Sequence, residues 1–289
     1  MTRAITWGDC LDYTLQNRDT WRNGGGRKSA MIYSNYFTKL RGYTFPAEKI
    51  RQPVLTQCMV ELQVDDGLMK SSINRFISAV STVLNFCKEE ELIDFDVPKF
   101  KRLKEDESIR YHFTKDQVNE IVRIAREEFY NDNLADIVLT AAYTGMRQGE
   151  LLNLKAKDVD LFHKLIHVGG RQDNKTKAGN YRTIPIHTHV LPILQTRLEY
   201  ANPNVSIFGD DWTDRHQLLK QFKNVTSKYM KLEEGYCFHS LRHSFAMFHV
   251  RGGTNFRTLM DLMGHRNIST TLIYAKSDDE GRALSMANI

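Results

Sequence analysis

The stretch TGMRQGELLNL, residues 144–154, decides how this chain of 289 residues is read. Before it, Leu134, Ile137, Val138, Ala141 and Ala142 recur at helical spacing and predict a mostly buried helix. Gly145 is the expected stop, because a helix readily ends on a residue free to turn left-handed. Arg147 then follows a tight turn, and Glu150 stands one helical turn beyond it. Working upstream, Thr114-Lys-Asp-Gln117 has the form of a capping box ahead of an apolar face made by Val118, Ile121, Val122 and Ala125. Downstream, 165–168 and 182–186 read as strands of a small antiparallel sheet, with Pro185 suited to an edge. Helical patterns return from Leu191. Leu218, Leu219, Phe222 and Val225 share one face, and Gly252-Gly253 breaks a later helix before Thr254, the expected cap of the next.

Composition bounds the reading. An apolar fraction of 41% and a charged fraction of 26% are those of a globular protein long enough for two domains. The net charge of +5 permits an anionic partner without announcing one. Cys10, Cys58, Cys87 and Cys237 follow no pairing or zinc-binding spacing, so they read as buried or inert thiols in a reducing compartment. The N-terminus lacks a signal-peptide core. The longest apolar tract, near 135–143, is too short to span a bilayer. Secreted, membrane-spanning and disulfide-framework classes are set aside.

The two parts of the chain differ in histidine but not in charge balance. All 10 histidines lie from His112 onward, whereas residues 1–110 hold 17 basic and 15 acidic side chains. Chemistry near neutral pH therefore belongs to the second part. The first part is helical, with Ile73, Phe76, Ile77, Val80, Val83, Leu84 and Cys87 on one face and a shorter apolar pattern over 59–68. Gly24, Gly25 and Gly26, beside Arg22, Arg27 and Lys28, form either a solvated connection or a basic tip for a phosphate backbone. The charged run KFKRLKEDESIR, 99–110, lacks an apolar face and is the expected linker. The domains are thus expected at 1–105 and 113–289, joined by 106–112.

Four clusters carry candidate chemistry: Arg147 with Glu150; Lys175 and Lys177 ahead of Arg182-Thr-Ile-Pro185; His239-Ser-Leu-Arg242-His243; and Gly264-His265-Arg266 followed by Tyr274. Singly, each has a plain structural explanation. Arg147 can be a surface arginine, Lys177 a hairpin-tip lysine and Tyr274 a core residue. His239 and His243, four apart, could share a zinc ion, but a zincin carries Glu where Ser240 stands. Taken together, the set holds several cations, one latent nucleophile and no carboxylate pair for Mg²⁺. Two guanidinium forks can clamp an anion with equatorial oxygens, a phenol can attack phosphorus, and a lysine can protonate a departing alkoxide. Such an inventory fits metal-free phosphodiester cleavage through a covalent phosphotyrosine.

The order Arg147, Lys177, His239-x-x-Arg242, His265, Tyr274, with its flanking TGMRQGELLNL, KDVDL, NKTKAGNYRTIPI, FHSLRHSFA and MGHRNISTTLIYA, resembles the tyrosine recombinases of the phage-integrase and Xer-like type. The resemblance runs from about Thr114 to Tyr274 and fits the preceding hundred residues more loosely. It implies a mainly α fold with a small antiparallel β-sheet in the catalytic domain, preceded by a helical core-binding domain. It further implies that Arg147 and Arg242 hold the scissile phosphate and that Tyr274 attacks to leave a 3′-phosphotyrosyl link and a 5′-hydroxyl. Lys177 would protonate that hydroxyl, with Lys175 its competitor. His239 would serve as acid/base at the nucleophile, His265 would hydrogen-bond the phosphate, and Glu150 would orient a cation without touching substrate.

No cofactor or metal is implied. The implied partners are double-stranded recombination or attachment sites and three further protomers in a tetramer, with 275–289 docking on a neighbour. An accessory or directionality factor is compatible; a membrane is not, and the setting is the cytoplasm of a bacterial or phage-infected cell. Little room is left for an N-terminal arm-binding domain, so arm-type sites are not expected. Integration or excision of a phage or mobile element is the leading task. The alternatives are an Xer-like dimer resolvase, a type IB topoisomerase-like enzyme, and a DNA-binding regulator on an inactive recombinase fold.

Overall fold

The computed structural model describes residues 4–22, 26–105, 110–169 and 181–276. The chain divides into two compact units, Met1–Ser108 and Ile109–Ile289.

The first unit is helical: α1 (Trp7–Asn17), α2 (Asp19–Arg22), α3 (Gly26–Arg41), α4 (Gln52–Val64) and α5 (Lys70–Glu89). Thr6 and Asp9 close a reciprocal box at the start of α1, with hydrogen bonds of 3.2 and 2.9 Å that satisfy otherwise orphaned N–H groups. Pro53 sits in the first turn of α4, where no N–H partner is needed. The α5 face read from the sequence is buried from Ile73 through Cys87, against Trp7, Phe37, Leu55 and Leu62. Each large apolar side chain so buried stabilises the unit by roughly 1.5–3 kcal/mol. The apolar stripe of α4 begins a turn earlier than the pattern over 59–68, at Leu55, and the helix stops at Val64. Gly24 and Gly25 lie outside the described residues. Gly26 opens α3, and Arg27 donates to the Leu15 carbonyl at 3.2 Å. All four cysteines are free; Cys10, Cys58 and Cys87 are buried, and Cys237 is exposed instead.

The second unit runs α6 (Lys115–Glu127), α7 (Asp132–Thr144), α8 (Gln148–Leu152), β1 (Val159–Asp160), β2 (Leu165–Val168), β3 (Arg182–Pro185), α9 (Leu191–Leu198), α10 (Arg215–Lys223), α11 (Ser240–Arg251), α12 (Phe256–Met263) and α13 (Ser269–Lys276). The strands form one antiparallel sheet in the order β1-β2-β3. Ile166 pairs with Ile184 and Val168 with Arg182, so the alternation that buries the two isoleucines also turns Arg182 inward. Pro185 lies on edge strand β3, where its missing N–H interrupts no inner ladder. The capping box at Thr114 forms as read, and the face Val118, Ile121, Val122, Ala125 packs with Leu134, Ile137 and Val138 of α7. Thr254 is not the cap of α12. Asn255 takes that place, its side chain accepting from Arg257 N–H at 2.8 Å, while the Thr254 hydroxyl meets His249 Nδ1 at 2.9 Å.

Two glycines decide where the chemistry-bearing segments leave their helices. Gly145 ends α7 at φ 62° and Gly264 ends α12 at φ 64°, both in the left-handed region that a side chain resists. A Cβ at 145 would overlap the Phe245 ring, and one at 264 would come within 2.9 Å of the Arg182 guanidinium. Gly145→Ala is therefore expected to cost about 2 kcal/mol or more, from backbone strain and overpacking together. Urea denaturation of the two proteins measures this; equal midpoints would show that the turn tolerates a side chain.

Candidate active site

The C-terminal ends of α7 and α12 present backbone carbonyls with no partner inside their own helices. Arg242, on the first turn of α11 and 3% exposed, meets both. One terminal nitrogen donates to the Gly145 carbonyl at 2.5 Å and the other to that of Met263 at 2.6 Å. The negative ends of two helix dipoles thus help hold a buried positive charge. Arg182, the inward arginine of β3, donates from Nε to the neighbouring Leu262 carbonyl at 2.8 Å.

Glu150 links this group to Arg147. Its carboxylate accepts from the Arg147 backbone N–H at 2.8 Å and from the Arg147 side chain at 2.9 Å, closing the N-terminus of α8. The same carboxylate takes two bonds from Arg182, at 3.1 and 2.8 Å. Burial alone would raise its pKa, but the hydrogen bonds and charge of Arg182, and then the N–H and charge of Arg147, bring it down to about 2. Burial and the charges of Arg147 and Arg182 push Arg242 down to about 9, so it keeps its proton at neutral pH. Among the described residues, three guanidiniums face one carboxylate, an excess of positive charge. Such a site is arranged for an incoming anion.

The remaining groups ring this charge. His265, just past Gly264, bonds through Nδ1 to the Thr271 hydroxyl at 2.8 Å; burial and the charges of Arg242, Arg147, Arg182 and Arg110 lower it to about 4. Tyr274, on α13, is 3% exposed and packs with Phe245, Met247, Leu259 and Met263. Burial raises its pKa, against the charges of Arg242, Arg110 and Arg147, which favour the phenolate. The ring that meets its hydroxyl is that of His243, with Nδ1 2.7 Å away. His239, the N-cap of α11, lies edge-on to His243 with ring centroids 4.9 Å apart; burial, Arg242 and Arg147 lower its pKa.

Arg147, Glu150, His239, Arg242, His265 and Tyr274, taken from four separate stretches of sequence, are therefore brought together. Lys177 and its competitor Lys175 lie outside the described residues. Two functional neighbours went unassigned in the sequence reading. Arg182 appeared only as a flanking residue, although the burial period of β3 marks an arginine turned inward. His243 reads from the sequence as half of a core or surface histidine pair, or of a metal pair, because nothing in the local pattern shows what α13 sets beside it. Among the described residues no three His, Cys, Asp or Glu side chains are grouped to hold a metal ion. The Glu150 carboxylate is already engaged by two arginines.

Residues 112–281, more than half of the chain, match the Phage integrase family. The chain belongs to that family. The family includes the tyrosine recombinases: a curated Tyrosine recombinase XerA of Pyrococcus horikoshii is 33% identical over 88% of this chain and 84% of its own length. Among solved structures, the integrase of transposon Tn1549 in complex with transposon right-end DNA superposes with a TM-score of 0.78, at 18% identity, covering 96% of this chain and all of the other. A lambda integrase tetramer bound to a Holliday junction gives 0.67 at 18% identity, over 91% and 78%. These likenesses show the expected fold, mainly helical with a small antiparallel sheet, and a tyrosine-type site-specific recombinase.

Glu150 makes the site sensitive to acid in a defined direction. Its folded pKa is depressed, so the stability it contributes is complete above about 4.5 and is lost as pH falls toward 2. The contribution is about 3 kcal/mol. His243 and His265, neutral in the fold at about 4, add to the loss as pH falls from 6.5, since the unfolded chain takes up their protons first. Glu150→Gln is expected to lower stability at pH 7 and to flatten its decline between pH 4.5 and 2. An unchanged acid limb in urea melts would remove Glu150 from this role.

Proposed function

We infer that this recombinase breaks and rejoins DNA through Tyr274. One observation carries the reading: a buried phenol lies within the field of Arg147 and Arg242, where the described residues hold more positive than negative charge. Arg147 and further N–H groups of Arg242 hold the non-bridging oxygens of a phosphodiester. The phenol attacks phosphorus, leaving a 3′-phosphotyrosine and a 5′-hydroxyl. Lys177 donates the proton that the leaving oxygen needs, His265 hydrogen-bonds the phosphate, and His239 serves acid/base chemistry on the side of the nucleophile. Glu150 and Arg182 fix Arg147 in place. The energy of the broken ester is kept in the phosphotyrosine, so a second 5′-hydroxyl can reverse the step without nucleotide or metal.

The helical unit Met1–Ser108 serves as the core-binding domain, and double-stranded DNA is the partner. Four protomers exchange strands pairwise through a Holliday junction, a reading supported by the lambda integrase tetramer bound to such a junction. The reaction takes place in the cytoplasm; no described helix is long and apolar enough to cross a membrane. Integration or excision of a mobile element is the task favoured by the likeness to the Tn1549 integrase. The 33% identity to a XerA recombinase favours a second reading, resolution of circular dimers. Mapping covalent cleavage positions on genomic and attachment DNA separates the two.

Tyr274→Phe is expected to abolish the covalent adduct on a nicked suicide duplex while DNA affinity stays within about twofold, and EDTA leaves the wild-type reaction unchanged. An adduct that survives the substitution sinks the assignment. Arg147→Ala is expected to slow cleavage by about 10²-fold or more with a much smaller loss of binding, because its charge acts mainly on the transition state. Equal losses would reduce it to an anchor. Arg242 is the poorer probe, since its removal also strands two buried helix-end carbonyls.

A further inference from the structure

Resting on the reading of Tyr274 as nucleophile, we propose that His243 is the group that takes the phenolic proton as Tyr274 attacks and returns it on resealing. The geometry is that of a donor and acceptor already paired: Nδ1 lies 2.7 Å from the hydroxyl oxygen, within the range of a strong O–H···N bond. The ring is held on a second side by His239, edge-on at 4.9 Å, and its backbone lies on α11 one residue beyond the buried Arg242. On this geometry the acid/base part given above to His239 passes to His243, and His239 positions the ring that carries it.

The ring is set to accept. Burial, and the groups that face it (His239 and Arg242 of α11, Arg110 and His112 of the segment leading into α6), hold His243 at about 4, so at neutral pH it is uncharged. With Nδ1 turned to the phenol, the imidazole proton sits on Nε2, and the phenol donates. In the free protein the proton stays on oxygen, because the phenol is the far weaker acid of the pair. A phosphodiester seated on Arg147 and Arg242 changes this balance. Its negative charge offsets the cations that depress His243, and bonding to phosphorus removes electron density from the phenolic oxygen. The nucleophile is therefore activated by arrival of its own substrate.

The step balances. The Tyr274 O–H bond breaks and an Nδ1–H bond forms. The freed oxygen pair makes the O–P bond while the P–O5′ bond breaks, its pair leaving on O5′, which takes a proton from the leaving-group acid assigned above to Lys177. Resealing runs each transfer backward, and the imidazolium proton returns to the phenol.

The test uses the full chain on a nicked suicide duplex carrying the mapped cleavage site, and the same duplex with a 5′-bridging phosphorothiolate, whose leaving group needs no proton. His243→Gln keeps a hydrogen-bonding side chain at the phenol but cannot carry the proton; His243→Ala opens the position to added imidazole. Both are expected to form adduct about 10²-fold more slowly or worse, with DNA affinity within about twofold. The defect should persist on the phosphorothiolate, whereas that of Lys177→Ala is relieved there. Imidazole should restore His243→Ala with a rate that rises with its neutral fraction. The acidic limb of the wild-type rate profile should vanish in His243→Gln. Adduct formation by His243→Gln within about threefold of wild type overturns the proposal, as does relief by the phosphorothiolate, which would move His243 to the leaving group. If His243→Ala fails to fold, His243→Gln decides alone. Loss of the nucleophile reading is told apart by its own sign: the adduct then survives Tyr274→Phe on both duplexes.

Discussion

A guanidinium buried across the ends of two helices organises the second unit of this protein. Arg242 satisfies the carbonyls of Gly145 and Met263, and both helices, α7 and α12, end there because a left-handed glycine follows or supplies the last carbonyl. The charge is tolerated in a buried position because helix-end dipoles and Glu150 face it. The chain then leaves α7 toward Arg147 and leaves α12 toward His265 from points fixed by the same side chain. Packing, termination and the placing of the reactive groups thus share one electrostatic cause.

Glu150 shows how the arrangement keeps its charge for a ligand. One carboxylate serves the N–H of Arg147, the side chain of Arg147 and both terminal nitrogens of Arg182. It orients two cations while cancelling the charge of only one. A fully neutralised cluster would be more comfortable in isolation and would have less to offer a phosphate. The histidines contribute to the same end by remaining neutral: burial and the neighbouring arginines keep His243 and His265 near 4, so they take part as hydrogen-bonding groups without adding repulsion. Tyr274 is held protonated under the same conditions, since burial raises its pKa against the pull of the neighbouring arginines.

Much of this was legible in the chain. The helix stop at Gly145, the capping box at Thr114, the inner faces of α5 and α6, and the edge position of Pro185 follow from backbone freedom and from periods of 3.6 and 2 that act over a few residues. Arg147, Arg242, His265 and Tyr274 were readable as one set because the reaction they suit requires cations and a nucleophile in company. Local rules failed where another side chain took a residue's expected partner or drew it into the core. Thr254 has the chemistry of a cap, but His249 engages its hydroxyl and Asn255 starts the helix. The apolar pattern over 59–68 did not mark the ends of α4, since Leu55 is drawn inward by the core of the first unit.

The sequence by itself determined which elements form and which side chains could serve a phosphodiester, since turns, caps and amphipathic faces are decided by short stretches of backbone and by residue chemistry. Only the tertiary structure decided that Arg182 shares Glu150 with Arg147, that Arg242 spans two helix ends, and that His243 meets Tyr274. Those pairings join residues 21 to 97 positions apart in the chain. They exist because burying a charge is costly unless an opposite charge or a hydrogen-bonding partner stands beside it. A linear pattern carries no record of that distance.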